Sequence, residues 1–75
     1  MQFETLTTIL ADMYNNAPSG ESVAMIHLFG IRYAKDIHAT GESMKQFAVS
    51  AGINESYGTE IAKGVKLARY VWPKP

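Results

Sequence analysis

Apolar side chains at Phe3, Leu6, Ile9, Leu10, Met13 and Tyr14 recur at spacings of three and four, the period of one helix face. They predict a first helix over about residues 2–15. The segment Asn15-Asn16-Ala17-Pro18-Ser19-Gly20 follows, and Pro18 drives Ala17 out of the helical region, so the first helix stops there. A second helix is predicted over about residues 21–39, with Ser19 or Gly20 near its N-cap and Glu21 in its first turn, where the helix dipole favours an acid. At roughly 100° per residue, Val23, Ile26, Gly30, Tyr33, Ala34 and Ile37 share one side, expected to be core. Arg32, Lys35 and Asp36 lie opposite, together with Met25 and Leu28, two apolar residues that a solvated face does not need. Either another helix covers Met25 and Leu28, or they contact a second copy of the chain.

Thr40 and Gly41 stop the second helix, glycine being suited to the left-handed conformation that closes a helix C-terminus. Ser43 and Gln46 form the S-x-x-Q version of a capping box, so a short third helix begins at Met44 and includes Phe47, Ala48 and Ala51. Gly52 supplies a turn, Ile53 an apolar plug beneath it, and Asn54 or Ser56 a cap for a fourth helix over about residues 55–69. On that helix Tyr57, Val65, Ala68 and Trp72 cluster around Ile61, whereas Thr59, Lys63, Lys66, Arg69 and Tyr70 fall on the far side. Gly64, inside the helix, costs about 1 kcal/mol relative to alanine, which points either to close packing against another backbone or to a backbone approaching a partner. Pro73 favours an extended Trp72, so residues 70–72 form either a last helical turn or a short exit strand. The expectation is one all-α domain of four helices over residues 1–75. Residues 43–69 are its helical pair, and about 2–15 and 21–39 are its support.

A chain of 75 residues buries a modest core, and its stability is expected at the low end, a few kcal/mol. Pairing with another copy would add to it. Cysteine is absent, which removes disulfides and thiolate zinc sites and fits a reducing cytoplasm. The N-terminal stretch has no basic region and carries Glu4 among its apolar residues, so neither a signal peptide nor a membrane span is expected. Seven basic and seven acidic residues cancel, which argues against strong non-specific affinity for nucleic acid. Their placement is uneven: after Glu60 come Lys63, Lys66, Arg69 and Lys74 and no acid.

Phe47, Ala48, Gly52, Ile53 and Ile61 stand where helix-turn-helix domains of the phage-repressor type have an apolar residue, a small residue at the helix crossing, the turn glycine, the plug and an apolar anchor. This stretch is similar to that family over about a third of the chain and resembles a small bacterial or phage helix-turn-helix protein. Gly58 departs from the pattern, standing where a branched apolar residue is common, so either Tyr57 fills that space or the helix starts differently. The resemblance implies sequence-specific duplex DNA binding by a homodimer that regulates transcription. It places Asn54, Glu55, Ser56, Thr59 and Lys63 at the groove. Asn54, Ser56 and Thr59 would bond base edges or phosphates, and Lys63 guanine or phosphate. Lys66 and Arg69 would hold the backbone further along, and Lys45 and Gln46 would lie where the first helix of the motif crosses a phosphate. Glu55 and Glu60 oppose phosphates unless they read a cytosine amino group or turn away. The alternative is a protein-interaction module or accessory subunit of the same fold, holding a protein partner through Met25 and Leu28 or through the basic face.

Other chemistry finds little support. His27 and His38 stand eleven positions apart, about 16 Å of helix rise, too far to share a metal. His27 is expected as a core or subunit-contact histidine, and His38 near a helix C-terminus. No serine has a context that implies a base beside it. Gly58 and Gly64 are not followed by the lysine and hydroxyl of a phosphate loop. The tyrosines and Trp72 are expected to pack helices and not to stack bases. No cofactor, metal or enzymatic activity is expected.

Overall fold

Each of the sequence patterns above becomes a helix in the computed structural model, which describes residues 1–74. In order these are α1 (Phe3–Asn15), α2 (Ser22–Arg32), α3 (Ala34–Thr40), α4 (Met44–Ala51), a 3-10 turn (Glu55–Tyr57) and α5 (Gly58–Leu67). No strand occurs among the described residues, and no helix among them is long and apolar enough to cross a membrane. The all-α architecture is as expected.

The core draws from every helix. Leu6 and Leu10 of α1, Ile26 and Phe29 of α2, Ile37 of α3, Phe47 and Ala48 of α4 and Ile61 of α5 are fully or almost fully buried in one cluster. Burial of side chains this large contributes about 2 kcal/mol each. Phe47 sits at the centre of the aromatic packing, with its ring centroid 4.8 Å from that of Phe3 in an edge-on arrangement and 6.3 Å from that of Phe29.

The expected second helix is divided. Tyr33 leaves helical geometry, with φ −111° and ψ 19°, and separates α2 from α3. Its N–H still donates to the Phe29 carbonyl (3.0 Å), and its carbonyl accepts from the Ile37 N–H (2.8 Å). The axis therefore turns at one residue with these two hydrogen bonds intact. The cause is packing: α2 must press Gly30 against α5 while Ile37 must still reach the shared core, and a straight rod does not serve both. The core list shifts accordingly. Phe29, absent from the expected face, is fully buried, and Val23, expected in the core, is 39% exposed. The helix also begins at Ser22, with Glu21 at the N-cap and no side-chain cap.

The C-terminal helix is shorter than the expected 55–69. Residues 68–70 are turns and 71–74 have no regular structure. Trp72, expected on the buried face, is 73% exposed, because the helix that would have carried it inward has already ended. Pro73 is buried instead, and Trp72 shares a depression with Ile31 and Arg32 of α2, Ala34, Lys35 and Asp36 of α3, and Ala68, so the tail lies by the junction of α2 and α3.

The most extensive contact between elements is α2 with α5, and two glycines make it. A Cβ on Gly30 would lie 2.6 Å from the Ile61 carbonyl oxygen and 2.9 Å from the Gly64 Cα, and a Cβ on Gly64 would meet the His27 carbonyl oxygen. The helices thus cross backbone against backbone, which fixes α5 on its support.

Candidate nucleic-acid interface

α4 starts as its sequence dictates. The Ser43 hydroxyl accepts from the Gln46 N–H at 3.1 Å, satisfying one of the donors left over at a helix start. At the other end Gly52 takes φ +78°, a conformation that side chains beyond glycine rarely adopt, and the Ile53 N–H returns to the Ala48 carbonyl at 3.1 Å. Ile53 is half-buried against the core, the plug role expected of it. The chain then turns into α5 through the 3-10 turn. Of the two cap candidates it is Asn54 that acts, its Oδ1 accepting from the Ser56 N–H at 2.9 Å.

Gly58 resolves the departure from the family pattern. It is buried, and a Cβ there would lie 3.0 Å from the Lys45 nitrogen and 3.1 Å from its Cα, so the start of α5 abuts the start of α4 with no room for a branched residue. Tyr57 packs elsewhere, its ring 5.5 Å from that of Tyr14. The helix does start differently, at Gly58 and not Glu55.

This junction brings Lys45, Asn54, Glu55, Ser56 and Thr59 around one open groove. Gln46 is exposed beside Lys45, and Lys63 is exposed one turn beyond Thr59. Some polar capacity is already used: the Thr59 hydroxyl donates to the Ser56 carbonyl at 2.9 Å, leaving its oxygen as an acceptor, while the Asn54 amide N–H groups and the Ser56 hydroxyl stay available. Lys66 and Arg69 are not at this groove. They line a separate cleft with α3 at the far end of α5.

Both acids that weigh against a phosphate partner are engaged. Glu55 lies 3.5 Å from the Lys45 ammonium, an exposed pair of the kind worth roughly 0–1 kcal/mol. Glu60 turns away from the groove toward α2 and meets His27 Nε2 at 2.7 Å, while its other oxygen accepts from Lys63 Nζ at 3.2 Å. The hydrogen bond with His27 holds the Glu60 carboxyl below the usual carboxylate range, with the bond from Lys63 adding to it and partial burial opposing. His27 is thus a link between α2 and α5, a role that sequence did not disclose because its partner stands 33 positions away.

Met25 and Leu28 are half-buried on α2. The large apolar side chains that stand most exposed near the C-terminus are Leu67, Tyr70, Val71 and Trp72, which the periodicity of a longer α5 had partly assigned to the core.

The chain matches the model of a family described as the HTH-like domain over residues 2–74. No curated protein and no solved structure matches it.

Proposed function

The chain belongs to the HTH-like domain family, and from that premise we propose that it binds duplex DNA sequence-specifically through α4 and α5. It regulates transcription by occupying an operator, with no chemistry of its own. The observation that carries this reading is the junction of α4 and α5, where Gly52, the Asn54 cap and Gly58 hold Lys45, Asn54, Ser56 and Thr59 around one open groove. In this reading the first turn of α5 enters the major groove, Asn54, Ser56 and Thr59 contact base edges or phosphates, and Lys45 and Gln46 contact the backbone. Lys63 exchanges Glu60 for phosphate, a small loss because the pair with Glu60 is exposed on the lysine side. A homodimer is the form that suits so small a domain, since it doubles the contacts and makes half-site spacing part of recognition.

The test is a titration of the chain with DNA fragments, followed by amide shifts at two salt concentrations. Salt-sensitive shifts at Lys45, Thr59 and Lys63 support the reading, and none with any fragment, including those from its own locus, sinks it. Lys45→Glu with Lys63→Glu should abolish binding while the thermal midpoint stays within a few degrees, because both side chains are exposed.

A protein partner is the second reading, favoured by the exposed Leu67, Tyr70, Val71 and Trp72. It predicts that Trp72→Ser removes the partner and leaves DNA affinity unchanged.

A further inference from the structure

α3 and the second half of α5 enclose a cleft of about 390 Å3, a volume within the range of small-ligand sites. Lys35 and His38 reach it from α3, spaced by three and so on one face of that helix; Lys66 comes from the last turn of α5 and Arg69 from the turn that follows it. Between them the lining is Ala34, Val65 and Ala68, small apolar side chains that leave room between the charged groups.

No acid among the described residues lines the cleft. Asp36, the neighbour of Lys35, is held 3.5 Å from the Met1 ammonium, and Glu60 is occupied by His27 and Lys63. None of Lys35, His38, Lys66 and Arg69 takes part in an ion pair among the described residues. Arg69 rests its guanidinium 5.8 Å from the centre of the Tyr70 ring, which orients it without neutralising it. Three cationic side chains and one histidine are therefore gathered from α3, the end of α5 and the turn after it, with no ion-pair partner among the described residues.

We infer that the α3–α5 cleft is a phosphate-binding site in which Lys35, His38, Lys66 and Arg69 surround one tetrahedral anionic group. Arg69 supplies planar paired donors, and the lysines supply point charges. His38 stands in the last turn of α3 and offers a ring N–H donor to the same anion. The phosphate comes either from the backbone of a duplex flanking the groove or from a free phosphate compound. The site does not depend on the DNA reading, because Lys35 and His38 lie outside the groove-facing set.

Sulfate is the informative probe. It is dianionic at neutral pH, whereas phosphate is there a mixture of two charge states, so its binding reports on a single ligand charge. With the full chain at constant ionic strength set by chloride, sulfate should give saturable shifts at the His38 ring and at the Lys35 and Arg69 amides. Lys35→Gln with His38→Gln should weaken sulfate by about tenfold, about 1.4 kcal/mol. Both side chains are exposed, so the fold is not at stake. A short duplex that displaces sulfate from the cleft identifies the backbone as the source. A duplex that leaves the cleft unshifted while sulfate and inorganic phosphate saturate it identifies a free phosphate compound. Shifts that chloride alone reproduces overturn the site. The DNA reading fails separately, if a duplex leaves Thr59 and Lys63 unshifted.

Discussion

Glu60 is the residue at which support and surface meet, since one oxygen holds His27 of α2 and the other holds Lys63 on the exposed face of α5. Its carboxyl is held below the usual range chiefly by the bond with His27, and that makes part of the stability depend on pH. The folded carboxyl loses its proton more readily than the unfolded one, so the stabilisation is fully present above the unfolded value and is lost as pH falls through the folded one. Glu60→Gln keeps the shape and removes the charge. Its thermal midpoint should lie below that of the parent chain at about pH 6, and the gap should narrow at a pH below the usual carboxylate range, as the parent carboxyl takes up its proton. A gap that is the same at both values would mean that the charge of Glu60 contributes nothing and that only its packing matters.

Among the elements, the crossing of α2 and α5 depends on what Gly30 and Gly64 lack. Alanine at position 64 would gain about 1 kcal/mol in helix propensity. Against this, its Cβ would meet the His27 carbonyl oxygen and lie 3.0 Å from the Gly30 Cα, and backbone atoms cannot swing aside as a flexible side chain can. Overpacking of this kind costs about 1–3 kcal/mol or more, so Gly64→Ala should be destabilised by about 2 kcal/mol in a denaturant titration. An increase in stability would mean that the helices do not cross there. The close contact at Gly64 was legible in the sequence because a glycine at that place violates helix propensity. So were the Ser43 cap, the Gly41 and Gly52 closures and the Ile53 plug, each of which follows from local backbone chemistry. The break at Tyr33 was not legible, since no proline or glycine stands at it and the demand comes from α5 and the core, distant in sequence. The early end of α5 was hidden in the same way: periodicity runs on through Arg69 to Trp72, and only the buried Pro73 and the place of Trp72 by the junction of α2 and α3 show where helix gives way to turn. At the groove the chemistry of Asn54 and Gly58 was visible as residue types. The separation of the groove at Lys45 from the cleft at Lys66 and Arg69 required α3 to be placed.

For the whole molecule, a formal charge of zero sets the terms on which it can meet a polyanion. Long-range attraction is weak, so affinity has to come from contacts made at the surface, and each phosphate neutralised releases counterions with a salt slope of about 0.9. Lys45 and Lys63 begin in exposed pairs with Glu55 and Glu60, and leaving them costs roughly 0–1 kcal/mol each, too little to prevent their use. Lys66 and Arg69 begin in no ion pair among the described residues. One phosphate each at Lys45 and Lys63 and one shared by Lys66 and Arg69 give a slope of about −2.7 in a plot of log affinity against log salt, and two copies on one site give about −5.4. The slope therefore counts both the contacts and the copies. Lys63→Gln should lower its magnitude by about 1 in a monomeric complex and by about 2 in a dimeric one, with the loss of affinity nearly the same for every DNA sequence if Lys63 touches phosphate and concentrated on the cognate site if it reads guanine. A measured slope near zero, in the presence of saturable binding, would move the contact off the basic face altogether.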